Sequence, residues 1–269
     1  MDTFSEVSPP IVLLVFALGT IIGSFLNVVA YRLGTGERIG NARSRCFSCG
    51  RTLTWRELIP LISFIIQKGK CHSCGSRISW QYPIVEVTTG VVFLLTGLSF
   101  WKDGFNGGWI FLGFLFIVWS LLIVISVYDI RHKIIPNQLV YFFIMLAFFG
   151  EIFGAPISEL LEVGLPKILA GGGAFAFFAS LWFFSKGTWM GFGDAKLALG
   201  IGFLLGPWLT TVAIVLSFWI GTLIAVPLVL LGGGGLKTQI PFGPFLAAGT
   251  FISWVAGSQM LAIYQSLLF

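Results

Sequence analysis

Residues 190–197, MGFGDAKL, interrupt a long run of hydrocarbon: FAFFASLWFF (175–184) lies just before them, and LALGIGFLLGPW (197–208) continues from their last residue. Asp194 stands there between Gly193 and Ala195. A carboxylate beside hydrocarbon is expensive enough that its position is functional by default. The flanks decide the class of fold, because they repeat along the whole chain. Of 269 residues, 57% are hydrophobic and 10% charged, where an ordinary soluble domain has about 25% charged residues. The sequence reads as an all-α polytopic integral membrane protein, with the lipid bilayer as its first partner.

Apolar runs of the roughly 20 residues needed to cross the hydrocarbon core lie at 9–31, 83–101, 108–128, 135–153, 165–185, 207–231 and 243–267. A shorter piece, 194–206, brings the expectation to about eight transmembrane helices. The amino-terminal MDTFSEVSPP carries two acids and no base, so the first run lacks the basic flank of a cleaved signal peptide and reads as a retained helix. Threading the runs alternately places loops 32–82, 129–134, 186–193 and 232–242 on one side. Nine of the 16 basic residues fall in the first of these loops, and Arg131, Lys133, Lys186, Lys196 and Lys237 fall in or beside the others. Lys102 and Lys167 face the other way, with Asp2, Glu6, Asp103, Glu151, Glu159 and Glu162. The positive-inside rule makes the crowded side cytoplasmic and both termini external. The net charge of +5 therefore reports topology, and no nucleic-acid partner is expected. Gly19 and Gly23 form a small-xxx-small pair suited to close helix packing. The sequence leaves the oligomeric state open.

All four cysteines fall in the first loop, as Cys46-Phe-Ser-Cys49-Gly50 and Cys71-His-Ser-Cys74-Gly75. Two such knuckles let four thiolates converge on one metal, each glycine permitting a left-handed turn behind its pair. A structural zinc, one per chain, is the expectation, and a reducing compartment disfavours disulfides. His72 reads as a bystander. Between the knuckles, LIPLISFIIQ (58–67) is half the length of a span; it is expected either to pack under the zinc site or to rest on the membrane surface. The chain thus divides into a first transmembrane helix (1–31), a cytoplasmic zinc-binding domain (32–82) and a transmembrane core (83–269).

A second acid, Asp129, ends SLLIVISVYDIRHKIIPN (120–137) at the same cytoplasmic edge as Asp194. From position alone three readings stand open: a proton or ion relay in a transporter, an aspartyl protease dyad, or solvated residues paired with nearby bases. A membrane scaffold without catalysis is a further rival. Context favours the dyad. Gly191 and Gly193 remove side chains where an extended peptide would approach Asp194, and Pro136 is expected to open the next helix. Two acids sharing one proton can hydrolyse a peptide bond, one accepting a proton from water while the other polarises the carbonyl. The 13 residues from Asp194 to Gly206 reach about 20 Å as a helix, which favours a substrate cut where its own apolar helix enters the membrane.

These residues resemble the type IV prepilin peptidases, aspartyl proteases of the GxGD type. The resemblance rests on Gly23-Ser-Phe-Leu-Asn-Val-Val-Ala-Tyr-Arg32, the cysteine knuckles, LIPLISF, Gly69-Lys-Cys71, Ile78-Ser-Trp-Gln-Tyr-Pro83 with Glu86, Asp129 through Ile135-Pro136-Asn137, Gly191-Phe-Gly-Asp194-Ala-Lys196, and Pro241-Phe-Gly-Pro-Phe245. The chain departs from the family's usual prolines at Gly34 and Phe47 and from its methionine at Phe192. The resemblance implies that Asp129 and Asp194 are the catalytic pair. It also implies type IV prepilin or pseudopilin substrates, cut at the cytoplasmic face of a bacterial inner membrane, and a second activity, methylation of the new amino terminus with S-adenosylmethionine. By similarity alone, Gly23, Asn27, Arg32 and Glu86 are candidates for the methyl-donor site. Lys196 is a candidate for tuning Asp194.

Overall fold

The computed structural model describes residues 8–37, 40, 43–102, 108–152, 160–231 and 240–268. Asp2, Glu6, Arg38, Asp103, Glu159 and Lys237, which enter the charge argument, lie outside them. The described residues are almost entirely helical: α1 (Pro9–Arg32), the short α2 (Ile62–Ile66), α3 (Gln81–Lys102), α4 (Gly108–His132), α5 (Asn137–Ile152), α6 (Leu160–Ser185), α7 (Phe192–Leu231) and α8 (Gly243–Leu268). Five stretches are long and apolar enough to cross a membrane: Pro9–Arg32, Gln81–Trp101, Gly108–His132, Glu162–Ser185 and Phe192–Leu230. α5 and α8 are apolar too, over the shorter stretches Asn137–Gly150 and Gly243–Gly257.

The chain forms two compact units, residues 1–127 and 128–269. In the first, α1 and α3 pack closely because glycine removes side chains at the contact. A Cβ on Gly19 would lie 2.7 Å from Gly90 Cα, and one on Gly23 would lie 2.9 Å from Glu86 Cα. The small-xxx-small pair read from the sequence is therefore the helix contact itself. The segment before α2 bends through Leu61 at φ 60°. Ile65 and Ile66 of α2 remain 72% and 74% exposed.

In the second unit α5, α6 and α8 all pack on α7. α6 and α7 meet so tightly that a Cβ on Gly202 would fall 2.3 Å from Gly171 Cα. α7 is not one continuous rod. Gly206 (φ 73°, ψ −178°) breaks it, and Pro207 follows, so the chain changes direction where it has neither a Cβ to clash nor the next N–H to bond. The short piece anticipated at 194–206 is thus a separate helical half. α5 begins at Asn137, and Pro136 caps it by accepting the Val140 N–H at 3.2 Å. The proline stands one position earlier than expected, where it still sacrifices no helical hydrogen bond.

Candidate active site and cysteine cluster

Asp129 and Asp194 are buried, at 4% and 6% exposure. Each is held by the first N–H groups of a helix, donors that a helix leaves unsatisfied. At α7, Gly191 caps the helix: its carbonyl accepts the Asp194 N–H at 3.1 Å, and its own N–H donates to Asp194 Oδ2 at 3.2 Å. This is the return half of a capping box, with the acid at the third helical position, so GFGD places its carboxylate by local geometry. At α8, the Gly243 N–H donates to Asp129 Oδ2 at 3.1 Å. That contact joins residues 114 apart in sequence.

The two acids share one centre. Asp194 lies close enough to Asp129 to interact electrostatically, and Ile135 fills the space beside both Gly193 and Gly243. A Cβ on Gly193 would lie 2.8 Å from Ile135 Cβ, and one on Gly243 would lie 3.5 Å from Ile135 Cδ1. Asp194 Oδ1 is buried and has no hydrogen-bond partner among the described residues. One oxygen of this carboxylate is fixed, and the other is free for chemistry.

Aromatic anchors hold both glycine donors. Phe192, between Gly191 and Gly193, packs against Trp182 and Phe175 with ring centroids 5.0 and 5.9 Å away. Phe242, before Gly243, packs against Phe218 and Phe178 at 5.1 and 5.8 Å. Lys196 does not turn to Asp194. Its Nζ donates to Asn137 Oδ1 at 2.9 Å and sits over the rings of Tyr141 and Phe192, 5.1 and 5.2 Å from their centroids. It ties α7 to α5 and braces the ring on which the GFGD turn rests.

The four cysteines converge. The Sγ atoms of Cys46, Cys49, Cys71 and Cys74 all lie within 4.8 Å of one another, with Cys46 and Cys74 3.8 Å apart; tetrahedral zinc at ~2.3 Å from each sulfur requires about 3.8 Å. All four are free thiols. The two knuckles are built alike. Cys46 N–H bonds Arg51 O and Gly50 N–H bonds Cys46 O; Cys71 N–H bonds Ser76 O and Gly75 N–H bonds Cys71 O, all at 2.8–2.9 Å. Gly50 (φ 72°) and Gly75 (φ 70°) adopt the left-handed turn the sequence called for. The Cys49 backbone N–H, then the Ser76 hydroxyl, hold the Cys46 thiol down at about 6. Ser76, first, and then its backbone N–H also lower Cys74. The Cys49 thiol goes the other way: despite a lowering hydrogen bond from the Arg51 backbone it is pushed up to about 11 by desolvation and by the Cys46 and Cys74 thiols beside it. What fits the set to zinc is the convergence of four sulfurs within 4.8 Å, the donor set of a tetrahedral site. His72 is not among these ligand atoms.

Of the residues singled out by similarity for a methyl donor, three cluster. Asn27 Nδ2 donates to Gly23 O and Tyr82 O, both at 3.3 Å, and its Oδ1 accepts Gln81 Nε2 at 3.2 Å. Glu86 accepts the Leu61 N–H at 2.8 Å. Arg32 has its Nε 3.7 Å from Glu37 and its Nη2 bonded to Arg43 O. Gly23 is filled by α3, and the polar atoms of Asn27 and Glu86 are engaged within the chain. These residues clamp α1, α3 and the turn at Leu61 together.

Residues 17–100 match the bacterial peptidase A24 N-terminal domain, and residues 114–226 match the type IV leader peptidase family. A Bacillus subtilis (strain 168) protein named prepilin leader peptidase/N-methyltransferase is 36% identical over 93% of this chain and 96% of its own length. The chain belongs to the type IV leader peptidase family. Proteins of the same name from Pseudomonas aeruginosa and Stutzerimonas stutzeri are 32% and 31% identical, each over 94% of this chain and 93% of their own length. No solved structure gives a significant match. The ion-relay reading finds no support among these leader-peptidase relatives.

Sequence reasoning gave no role to Gly243, Phe242, Ile135, Ser76 or Asn137. Gly243, Phe242, Ile135 and Asn137 lie inside motifs that carried the resemblance. The signal available for Gly243 was a glycine directly before Pro244 at the start of an apolar helix, which marks a helix N-terminus but not what that terminus holds.

Proposed function

We propose that this protein is a membrane aspartyl endopeptidase that cuts the leader from type IV prepilins and pseudopilins at the cytoplasmic face of a bacterial inner membrane through Asp129 and Asp194, and that it N-methylates the new terminus. The observation that carries the reading is the buried carboxylate pair, each member tied through Oδ2 to the first N–H of a helix, in a chain aligned almost end to end with prepilin leader peptidase/N-methyltransferases.

Asp129, its Oδ2 fixed by Gly243, accepts a proton from the attacking water. Asp194 Oδ1, the oxygen without a hydrogen-bond partner among the described residues, carries the shared proton and donates it to the scissile carbonyl oxygen. The water oxygen bonds the carbonyl carbon to give a gem-diol; the carbon–nitrogen bond then breaks as the amine takes the proton from Asp129 and one gem-diol hydroxyl returns its proton to Asp194. The titration belongs to the pair. Gly191 and Gly193 leave room for an extended peptide beside Asp194, with Lys196 bracing their turn.

The membrane topology follows from the charges: about eight crossings, counting the two halves of α7 separately, with the acids and the cysteine module cytoplasmic and both termini outside. By role the chain divides into the first helix (1–31), a zinc-binding module (32–82) and the peptidase core (83–269). Four thiolates leave zinc no open position, so it is structural. S-adenosylmethionine, when bound, supplies the methyl group; no step is assigned to Gly23, Asn27, Arg32 or Glu86.

The test is the intact mass of a liposome-reconstituted type IV prepilin after incubation with the protein, with and without S-adenosylmethionine. Leader loss by the parent, with a fall of about 10³-fold in Asp129→Asn and Asp194→Asn, and a methyl group gained only with the donor, are the expected results. Leader removal by Asp194→Asn at the parent rate would sink the dyad.

A further inference from the structure

The first turn of α8 carries no proton in the steps above, yet through the Gly243 N–H it reaches Asp129. We propose that Phe242 and Gly243 form a third wall of the peptidase centre, with Gly243 the positioning residue that aims Asp129. The inference rests on the aspartate-pair reading and deepens it.

In PFGPF the two prolines have no N–H, and the Phe245 and Leu246 N–H groups are taken by Phe242 O at 3.0 and 3.1 Å. The Gly243 N–H goes to Asp129 Oδ2 at 3.1 Å. Phe242 sits against Phe218 and Phe178, so the donor is anchored to α6 and α7, not merely to its own helix. The carboxylate of α4 is thereby referenced to the same helices that frame Asp194.

Glycine is required at 243 for space. A Cβ there would lie 2.7 Å from Asp129 Oδ2, so any side chain displaces the oxygen that the N–H holds. Backbone strain is not the reason: Gly243 is absent from the glycines with positive φ among the described residues, and alanine suits a helix start at least as well as glycine. Substituting alanine therefore separates the two roles, since it leaves the helix able to form while pushing the carboxylate aside. Misplacing a catalytic group by about 1 Å can cost about 10²-fold in rate.

The experiment measures kcat, KM and the pH profile of kcat for Gly243→Ala and Phe242→Leu on a type IV prepilin in liposomes, beside Asp129→Asn, with zinc content and melting recorded for each. We expect Gly243→Ala to lower kcat about 10²-fold with KM within about 3-fold, to shift the acidic limb of the profile, and to leave zinc and melting unchanged. Phe242→Leu should lower kcat about 10-fold, again at constant KM. Parent-like kcat and pH profile in Gly243→Ala, with Asp129→Asn inactive, would overturn the inference and spare the dyad. Full activity in Asp129→Asn would remove the dyad itself. Should Gly243→Ala fail to fold, Phe242→Leu decides: an unchanged kcat overturns the proposal.

Discussion

The cysteine module and the aspartate centre are both sets of acidic groups brought together for one task, but they are assembled in opposite ways. Each knuckle closes on itself within six residues, and the same backbone hydrogen bonds appear in both. The aspartate centre has no such repeat. Asp194 is placed by its own helix cap, whereas Asp129, at the end of α4, takes its partner from a helix that begins 114 residues later. A motif carries its own geometry when its hydrogen bonds are local. A site whose hydrogen bonds are long-range depends on every helix contact that sets the distance.

Three changes would break or sharpen that contrast. The largest is Cys71→Ser, which removes the most buried of the four ligands. Bound zinc should fall from one per chain to none by metal analysis, consistent with the ~10–16 kcal/mol that structural zinc sites contribute. Because the peptidase centre uses none of those bonds, leader cleavage should fall far less than in Asp194→Asn. A loss as deep as the aspartate variants' would mean that the two regions are coupled.

Second is Gly202→Val, which forces a side chain into a contact where even a Cβ would lie 2.3 Å from Gly171. Overpacking of this kind costs about 1–3 kcal/mol. A lower melting temperature and reduced cleavage are expected, with zinc content untouched. An unaffected cleavage rate would show that the centre tolerates movement of α6 against α7.

Smallest is Lys196→Ala. It removes one hydrogen bond to Asn137 and two ring contacts at a half-exposed position, worth about 1 kcal/mol or less. Cleavage kinetics should show a several-fold fall, with partial recovery in Lys196→Arg. A fall comparable to Asp194→Asn would give the lysine the direct role at Asp194 that its contacts do not support.

The sequence by itself determined the class, the apolar helices, the break after 206 and both knuckles, because each is written in a local quantity: hydropathy over one helix length, a glycine that must turn left-handed, a fixed cysteine spacing. It also named both aspartates, since a charge beside hydrocarbon stands out wherever it occurs. It placed Pro136 one residue late, left LIPLISFIIQ between two outcomes, and offered Lys196 as a candidate for tuning Asp194, whereas its Nζ lies on Asn137 and two rings. Only the tertiary structure decided that Gly243 holds Asp129, that Ile135 lies against both Gly193 and Gly243, and that Asn27 and Glu86 are engaged within the chain. Those facts depend on which helix faces which, and a hydrophobic helix of nearly uniform surface does not record its neighbours in its own sequence.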